Sequence, residues 1–431
     1  MLVAASGASA RLVSLPGLNV DIPGLGLVAP PAVSLPPPDD LVVPPPSNDP
    51  FYAVPRNIAK FPNGTVLASR RVRAMALAVP IPAEAWQVKY KTIDQENRPS
   101  AFVTTVLVPR QPWPGPGDRP LLSYQVAVDA LSTKCAPSYV LRAGVSVAST
   151  SPTILGSNAA SETANILQAV LRGYAVAVPD WEGPAAEWVG AGGAGRGVLD
   201  GTRAARAFAP AGIAHSARIG LIGYSGGALA TDWAVQMQAA YAPGLQFAGT
   251  ALGGTPAQLP TALGAFAANP GGRGAVPLLL AGFERSYPEW NLGQYLSPAG
   301  KAAVADSQND CLLDSLTKYD GTDPTTYEAY PGAIFDDSRL DSLLASVSPL
   351  HYPGVPRTPI LFYHSLNDEF APIAEMRKLA ARYCAEGLIV HIVTSPAGDH
   401  IAYVLTGFPT ALNYIAQRFA GTPPPNDCRT T

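Results

Sequence analysis

The chain has 431 residues with 29 basic and 32 acidic side chains, and only 14% of its residues are charged. This balance offers no electrostatic basis for a nucleic acid or acidic polymer as partner, so we expect none. The apolar fraction of 47% is that of a globular protein, and no apolar run reaches the roughly eighteen residues of a membrane-spanning helix. The length allows one large core with an insertion.

Residues 1–50 differ in composition from the rest of the chain. Ala8-Ser9-Ala10 has the pattern of a signal-peptidase cleavage site, without the basic start and long apolar segment of a complete signal. Residues 22–50 contain ten prolines, too many for a helix or a sheet interior. We expect residues 1–50 to hold the end of an export signal and an extended, polyproline-like arm.

From about Trp86, predicted strands alternate with predicted helices. This pattern indicates an α/β fold with a mostly parallel sheet covered by helices on both faces. The eight predicted strands are at residues 87–93, 101–108, 120–126, 174–178, 218–223, 246–252, 359–364 and 388–393. The predicted helices are at residues 160–172, 198–208, 226–241, 373–384 and 402–419.

The alternation stops after Gly253-Gly254 and resumes at Pro359. The roughly 100 residues between are too many for a loop inside a compact domain, so they must have structure of their own. We expect residues 255–355 to form a helical cap over a core made of residues 51–254 and 356–425. The cap's predicted helices, at residues 261–268, 277–283 and 340–347, have few charges, which suits an apolar substrate.

The motif Gly223-Tyr224-Ser225-Gly226-Gly227 follows an apolar strand and precedes a predicted helix. Strand, Gly-x-Ser-x-Gly and helix in this order are typical of the nucleophile elbow of α/β-hydrolases. The elbow is so tight that its serine adopts a strained backbone conformation and only small residues fit beside it. We therefore predict an α/β-hydrolase fold with Ser225 as the nucleophile.

A serine hydroxyl needs an imidazole to accept its proton, and the imidazole needs a carboxylate to orient it. Among the five histidines, His400 follows the last predicted strand in a glycine-containing loop, where the base of this fold belongs. His364 ends the penultimate strand and either orients the following loop or packs in the core. The remaining histidines are placed before the nucleophile, in the insertion and within the last strand: His215, His351 and His391.

The acid should follow the penultimate strand, where Asp368 and Glu369 are neighbours. We predict Asp368, with Glu369 as the alternative. The oxyanion of the tetrahedral intermediate needs two donors. We expect the backbone N–H of Gly226, at the start of the elbow helix, and the backbone of Asp129 in the loop after the third strand. The Asp129 side chain would also donate if it remains protonated.

The four cysteines, Cys135, Cys311, Cys384 and Cys428, are far apart and include no Cys-x-x-Cys pair. This spacing argues against a zinc site or a redox motif. An even number fits two disulfides in an exported protein, and the alternative is four buried thiols in a cytosolic one. We expect neither a metal nor a cofactor.

Further motifs occur between about residues 50 and 420. They are Ser123-Tyr124-Gln125 with Asp129, residues 135–139, 178–184 and 198–204, the elbow, Asp368 and Gly398-Asp399-His400. Together they resemble the secretory lipase (LIP) family, whose members include fungal lipase A enzymes. The resemblance implies a secreted carboxylic-ester hydrolase for acylglycerols, with a helical cap, no metal and a Cys135–Cys311 bridge between core and cap. We also expect Cys384 to pair with Cys428.

The interpretation with most support is a triacylglycerol lipase that acts as a monomer and contacts a lipid surface transiently. A short-chain esterase or deacetylase of the same family is the nearest alternative, because no motif reports the shape of the acyl pocket. A catalytically silent surface-binding protein of this fold is another, although its triad positions are intact. A peptidase is possible on this fold, but a charge-poor cap favours a lipid.

Overall fold

A nine-stranded sheet forms the centre of the computed structural model, which describes residues 43–144 and 157–428. Its strands, with the separate hairpin β2–β3, are β1 (Val66–Val72), β2 (Met75–Ala76), β3 (Val79–Pro80), β4 (Ala83–Ile93), β5 (Pro99–Pro109), β6 (Leu121–Gln125), β7 (Ala175–Pro179), β8 (Ile219–Tyr224), β9 (Phe247–Gly253), β10 (Ile360–Ser365) and β11 (Val390–Ser395). Their spatial order is β1-β4-β5-β7-β6-β8-β9-β10-β11. The expected export signal and most of the proline-rich arm lie outside the described residues.

The strands from β7 to β11 in this order are mutually parallel, whereas β1, β4 and β5 add antiparallel pairs at one side. Parallel neighbours bring their carboxyl ends to one edge of a sheet, and ligand sites of open α/β sheets lie outside that edge. The loops after β6, β8, β10 and β11 carry the predicted site residues. The topology therefore gathers them at one place.

The prediction of eight strands was one short for the nine-stranded sheet, and it also missed the separate hairpin β2–β3. All eight are present, and the strand of the sheet that was missed is β1, which pairs antiparallel with β4 at the edge of the sheet. None of its residues is fully buried, and Ser69, Arg70 and Arg71 occupy its second half. An edge strand of this kind lacks the apolar run by which the buried strands were recognised.

The helices of the described residues cover both the sheet and the segment between β9 and β10. They are α1 (Pro137–Ala143), α2 (Ala159–Leu171), α3 (Ala191–Ala207), α4 (Gly226–Tyr241), α5 (Leu259–Ala268), α6 (Val276–Ser286), α7 (Pro298–Asp306), α8 (Leu312–Lys318), α9 (Ser338–Val347), α10 (Ile373–Ala385), α11 (His400–Thr406) and α12 (Phe408–Ala420). The last predicted helix is two, divided at Gly407, and α1, α7 and α8 were not predicted. Residues 46–48 and 50–52 form short 3-10 turns.

Helix α3 begins seven positions before the predicted start. The prediction missed its first two turns because they contain four glycines, which disfavour a helix. Close packing requires at least two of them. A Cβ on Gly193 would lie 2.9 Å from the backbone nitrogen of Gln95, and one on Gly197 would lie 2.9 Å from the ring of Phe102. Tertiary packing thus overrides local helix propensity here.

The segment between β9 and β10 contains α5 to α9 and is bonded to the rest of the chain at several points. Trp233 Nε1 on α4 donates to the carbonyl of Val347 over 3.0 Å. The backbone N–H of Ala191 at the start of α3 donates to the hydroxyl of Tyr287 over 3.0 Å. The described residues group as one compact unit, so these helices belong to the same unit as the sheet.

Candidate active site

Ser225 lies in the turn between β8 and α4 with φ 51° and ψ −122°, a conformation that is unfavourable for any residue with a side chain. Its backbone N–H donates to the carbonyl of Gly253 over 2.9 Å, which fixes the turn against β9. A Cβ on Gly227 would lie 2.0 Å from the carbonyl oxygen of Gln125, and one on Gly223 would lie 2.2 Å from that of Gly227. Glycines are therefore required on both sides of the serine.

His400 and Asp368 lie next to this turn. Ser225 Oγ is 2.8 Å from His400 Nε2, and His400 Nδ1 is 2.8 Å from both carboxylate oxygens of Asp368. Asp368 follows β10 and accepts the backbone N–H groups of Phe370 and Ala371 over 3.1 and 2.7 Å. The structure thus brings together the three residues predicted as nucleophile, base and acid.

The charges of this trio favour a basic imidazole. Burial by itself would lower the pKa of His400, but the charge and hydrogen bond of Asp368 outweigh it, so the pKa is raised above its ordinary value. Burial would raise the pKa of Asp368, but the contacts with His400 dominate and hold it below its ordinary value. Asp368 is therefore ionised at neutral pH, and His400 can accept a proton from a hydroxyl.

The alternative residues have other contacts. Glu369 Oε2 accepts the backbone N–H of His400 over 2.9 Å, so it contacts the main chain of the base and not its ring. His364 is fully buried, donates from Nε2 to the carbonyl of Ala371 over 2.7 Å, and lies 3.3 Å from Asp368 Oδ2. It therefore supports the loop after β10 that carries Asp368, which we call the acid loop. The other three histidines have no contact with this trio: His215, His351 and His391.

Asp129 lies against the first residue of α4. It has φ 49° and is 5% exposed, and a Cβ on Gly226 would lie 1.9 Å from its Oδ1 atom. Burial raises the pKa of Asp129 to about 6, although the nearby charge of His400 acts in the opposite direction. Oδ1 has no hydrogen-bond partner within the described residues. The two residues predicted to stabilise the oxyanion are thus adjacent to each other and to Ser225.

The loop that carries Asp129 is held by two buried carboxyl groups that the sequence did not reveal. Glu162 on α2 accepts the backbone N–H of Ala127 over 2.8 Å and the Tyr124 hydroxyl over 2.6 Å. Glu182 accepts the backbone N–H of Ala130 over 3.3 Å. Burial raises the pKa of Glu162 to about 8. Glu182 lies in the motif of residues 178–184, whereas nothing in the sequence distinguished Glu162 from an ordinary helical glutamate.

Arg285, the penultimate residue of α6, holds the other end of this loop. Its Nη1 atom donates to the carbonyl of Leu131 over 2.7 Å and to those of Ala185 and Ala186 over 3.0 and 3.2 Å. Its Nη2 atom donates to the backbone and side-chain oxygens of Gln308, each over 2.7 Å. One guanidinium thus joins two loops beside the site to the helical segment between β9 and β10.

One of the two disulfides also joins the loop after β6 to the helical segment between β9 and β10. Cys135 is bonded to Cys311, and the neighbouring residue Asp310 accepts the backbone N–H of Leu131 over 3.1 Å. The second disulfide joins α10 to the C-terminal segment through Cys384 and Cys428.

Within residues 43–144 and 157–428, no group of three or more His, Cys, Asp or Glu side chains could hold a metal ion. None of the helices described is long and apolar enough to cross a bilayer.

The chain is similar to known lipases in sequence and in fold. The family model for secretory lipase matches residues 149–427. A probable inactive lipase of Mycobacterium tuberculosis is 33% identical over 88% of this chain and 83% of its own length, and lipase A of Arthroderma benhamiae is 32% identical over 90% and 82%. The X-ray structure of Candida antarctica lipase A superposes with a TM-score of 0.78 and 28% identity, covering 90% of this chain and 89% of that one. The chain therefore belongs to the secretory lipase (LIP) family.

Proposed function

We propose that this protein is a secreted carboxylic-ester hydrolase that cleaves acylglycerols through Ser225, His400 and Asp368. The observation that carries the proposal is the continuous contact from Ser225 Oγ to His400 Nε2 and from His400 Nδ1 to Asp368, each over 2.8 Å, on a strained elbow. Membership of the secretory lipase family and two disulfides support the exported location.

In the first half of the reaction, Ser225 Oγ attacks the ester carbonyl carbon while its proton moves to His400 Nε2. The carbonyl π electrons move to oxygen, and the resulting oxyanion accepts hydrogen bonds from the backbone N–H groups of Gly226 and Asp129. When the intermediate collapses, the ester C–O bond breaks and His400 gives its proton to the leaving alcohol. Water then attacks the acyl-enzyme and loses a proton to His400. The bond between the acyl carbon and Ser225 Oγ breaks, His400 returns the proton to Oγ, and the acid leaves.

The Asp129 side chain supplies a further donor when it is protonated. Its pKa is raised to about 6 by burial, and a negative charge developing beside it would raise that pKa further. Its Oδ1 atom is unpartnered among the described residues and lies next to Gly226. A protonated carboxyl at this position would donate a third hydrogen bond to the oxyanion.

Two observations favour an active esterase over a silent binding protein or a peptidase. One relative is named a probable inactive lipase, but in this chain the serine, imidazole and carboxylate groups are all present and in contact. An apolar wall also leads to the base: Phe266 on α5 stacks on Phe370 at 4.5 Å between ring centroids, and Phe370 lies edge-on to His400 at 5.6 Å. Such a wall suits an acyl chain better than a peptide.

Hydrolysis of p-nitrophenyl esters from acetyl to palmitoyl, by wild type beside Ser225→Ala, tests this function. We expect a preference for medium or long chains, since each buried methylene contributes about 0.8 kcal/mol until the pocket ends. A rate that is greatest for acetate and falls steadily with chain length would identify a short-chain esterase. A rate that is the same in Ser225→Ala would refute the mechanism.

A further inference from the structure

A cavity lies at the amino ends of the parallel strands, on the side of the sheet opposite to Ser225. It has a volume of about 580 Å³ and is lined by residues at the starts of β8 and β9 and at the end of α12. Strand β8 runs from Ile219 at this cavity to Tyr224, next to the elbow. Six extended residues span about 20 Å, so the cavity is separate from the proposed active site.

The cavity is strongly basic. Arg206, Arg218 and Arg418 line it together with His215, and no carboxylate of the described residues does so. None of the three arginines forms an ion pair with a described residue, although Asp118 accepts the hydroxyl of the lining residue Ser216 over 2.5 Å. Three guanidinium groups around one cavity repel each other unless an anion lies between them.

Arg418 has buried donors that no described residue satisfies. It is only 3% exposed, and its Nε and Nη1 atoms have no hydrogen-bond partner within the described residues. Nη2 donates to the carbonyl of Pro423 over 3.0 Å, and the guanidinium lies over the Tyr414 ring at 5.1 Å from its centroid. A ring contact does not satisfy N–H donors, and a buried guanidinium without an acceptor is costly.

Helix capping explains the position of one of the three arginines but not of the other two. Arg218 Nη1 donates to the carbonyls of Arg418 and Phe419, over 2.9 and 3.0 Å, and so caps the C-terminus of α12. This accounts for one nitrogen of Arg218. It does not account for the two unpartnered donors of Arg418, or for Arg206, which has no acceptor in residues 43–144 and 157–428.

We propose that this cavity is a binding site for a phosphate group, with Arg418 at its base and Arg206 and Arg218 at its mouth. The planar donors of guanidinium match phosphate oxygens in pairs, which makes arginine the preferred residue for buried phosphate recognition. The cavity is larger than a single phosphate ion, so it also accommodates an organic substituent on the phosphate. The source is either free phosphate or phosphate esters, or the headgroup of an anionic lipid.

Titration calorimetry of the whole protein with inorganic phosphate at constant ionic strength tests the site, with Arg206→Gln as the variant. Arg206 is partly exposed, so its replacement should not prevent folding, and its loss should weaken binding roughly tenfold. Arg56→Gln is the matched control, because it removes the same charge from an exposed position whose side chain forms no hydrogen bond or ion pair with the described residues. Saturable binding that is weakened in Arg206→Gln and not in Arg56→Gln would support the proposal.

A second arm distinguishes the sources of the phosphate. Vesicles of phosphatidylcholine containing phosphatidic acid are compared with pure phosphatidylcholine vesicles, again with both variants. Binding that requires phosphatidic acid and is lost in Arg206→Gln would assign the site to a lipid headgroup, whereas binding of inorganic phosphate alone would assign it to a soluble ligand. The proposal is overturned if neither probe binds saturably, or if both variants bind like wild type.

Discussion

The two halves of the proposed active site are held in different ways. Ser225, His400 and Asp368 follow strands β8, β11 and β10, and the contacts that orient them come from the core: Gly253, Tyr224 and the acid loop itself. Glu162 on α2 holds the start of the Asp129 loop at Ala127. Glu182, Arg285 and the Cys135–Cys311 bridge hold its end. The proton-transfer half is therefore a property of the core, whereas the oxyanion half depends on contacts with the helical segment between β9 and β10.

This difference predicts two kinds of loss. Changing a group in the proton-transfer half removes a step of the chemistry, because nothing else can accept or deliver the proton. Changing a support of the oxyanion half leaves every reacting group present but displaces the donors, which costs less.

Ser225→Ala and His400→Ala should each lower kcat for ester hydrolysis by roughly 10⁴-fold or more, because either change prevents formation of the alkoxide. The double variant should be hardly worse than either single one, since the two groups act as a unit. Steady-state kinetics on a soluble p-nitrophenyl ester measures this. His391→Ala is the control, because its ring bonds to Asp427 and not to the site.

Asp368→Asn should lower kcat roughly 10³- to 10⁴-fold, because the imidazole loses its orienting charge. Glu369→Gln should cost only a few-fold, since the amide oxygen can still accept the backbone N–H of His400. Comparing the two variants shows which of the adjacent carboxylates orients His400. Equal losses in the two variants would contradict the assignment of Asp368.

Arg285→Met should lower kcat by about 10- to 100-fold and change KM little, because the loop with Asp129 loses its bond at Leu131. Arg285→Lys, which retains one donor, should recover part of the rate. Thermal unfolding of both variants shows whether the fold is intact. A loss confined to KM would mean that Arg285 supports substrate binding and not the oxyanion.

The pH profile of kcat/KM should have an acid limb above the ordinary histidine pKa, because His400 must be neutral and its pKa is raised. The negative charge of Asp129 contributes to that increase. Asp129→Asn removes the charge but retains a donor, so the imidazolium is less favoured and the acid limb should move to lower pH. A limb that stays in place would show that the two side chains do not interact.

Stability should fall as pH rises, because the supports of the oxyanion loop include carboxyls whose pKa is raised in the folded state. Burial raises the pKa of Glu162 to about 8, whereas an unfolded glutamate titrates near pH 4.3. Between these values the folded chain holds a proton that the unfolded chain has released, so stability declines with pH. Denaturant unfolding at pH 5 and pH 8 should show this, and Glu162→Gln should make the decline smaller by about 1 kcal/mol per pH unit.

The sequence was informative where a function is carried by a local pattern. The Gly-x-Ser-x-Gly motif, the order of strands and the position of His400 predicted the fold and the three residues that meet in the structure. Local pattern could not reveal β1, which is an edge strand, or the glycine-rich start of α3. It also missed Glu162 and Arg285, because their partners are distant in the chain and only tertiary packing brings them to the Asp129 loop.

Covalent labelling with a p-nitrophenyl alkylphosphonate tests whether Ser225 is the nucleophile, since the reagent captures an activated serine beside an oxyanion site. The account predicts one adduct per chain on the peptide containing Ser225, with loss of esterase activity in parallel. Labelling should be absent in Ser225→Ala and much slower in His400→Ala. An adduct on another residue that abolishes activity, or full activity with Ser225 blocked, would contradict the account.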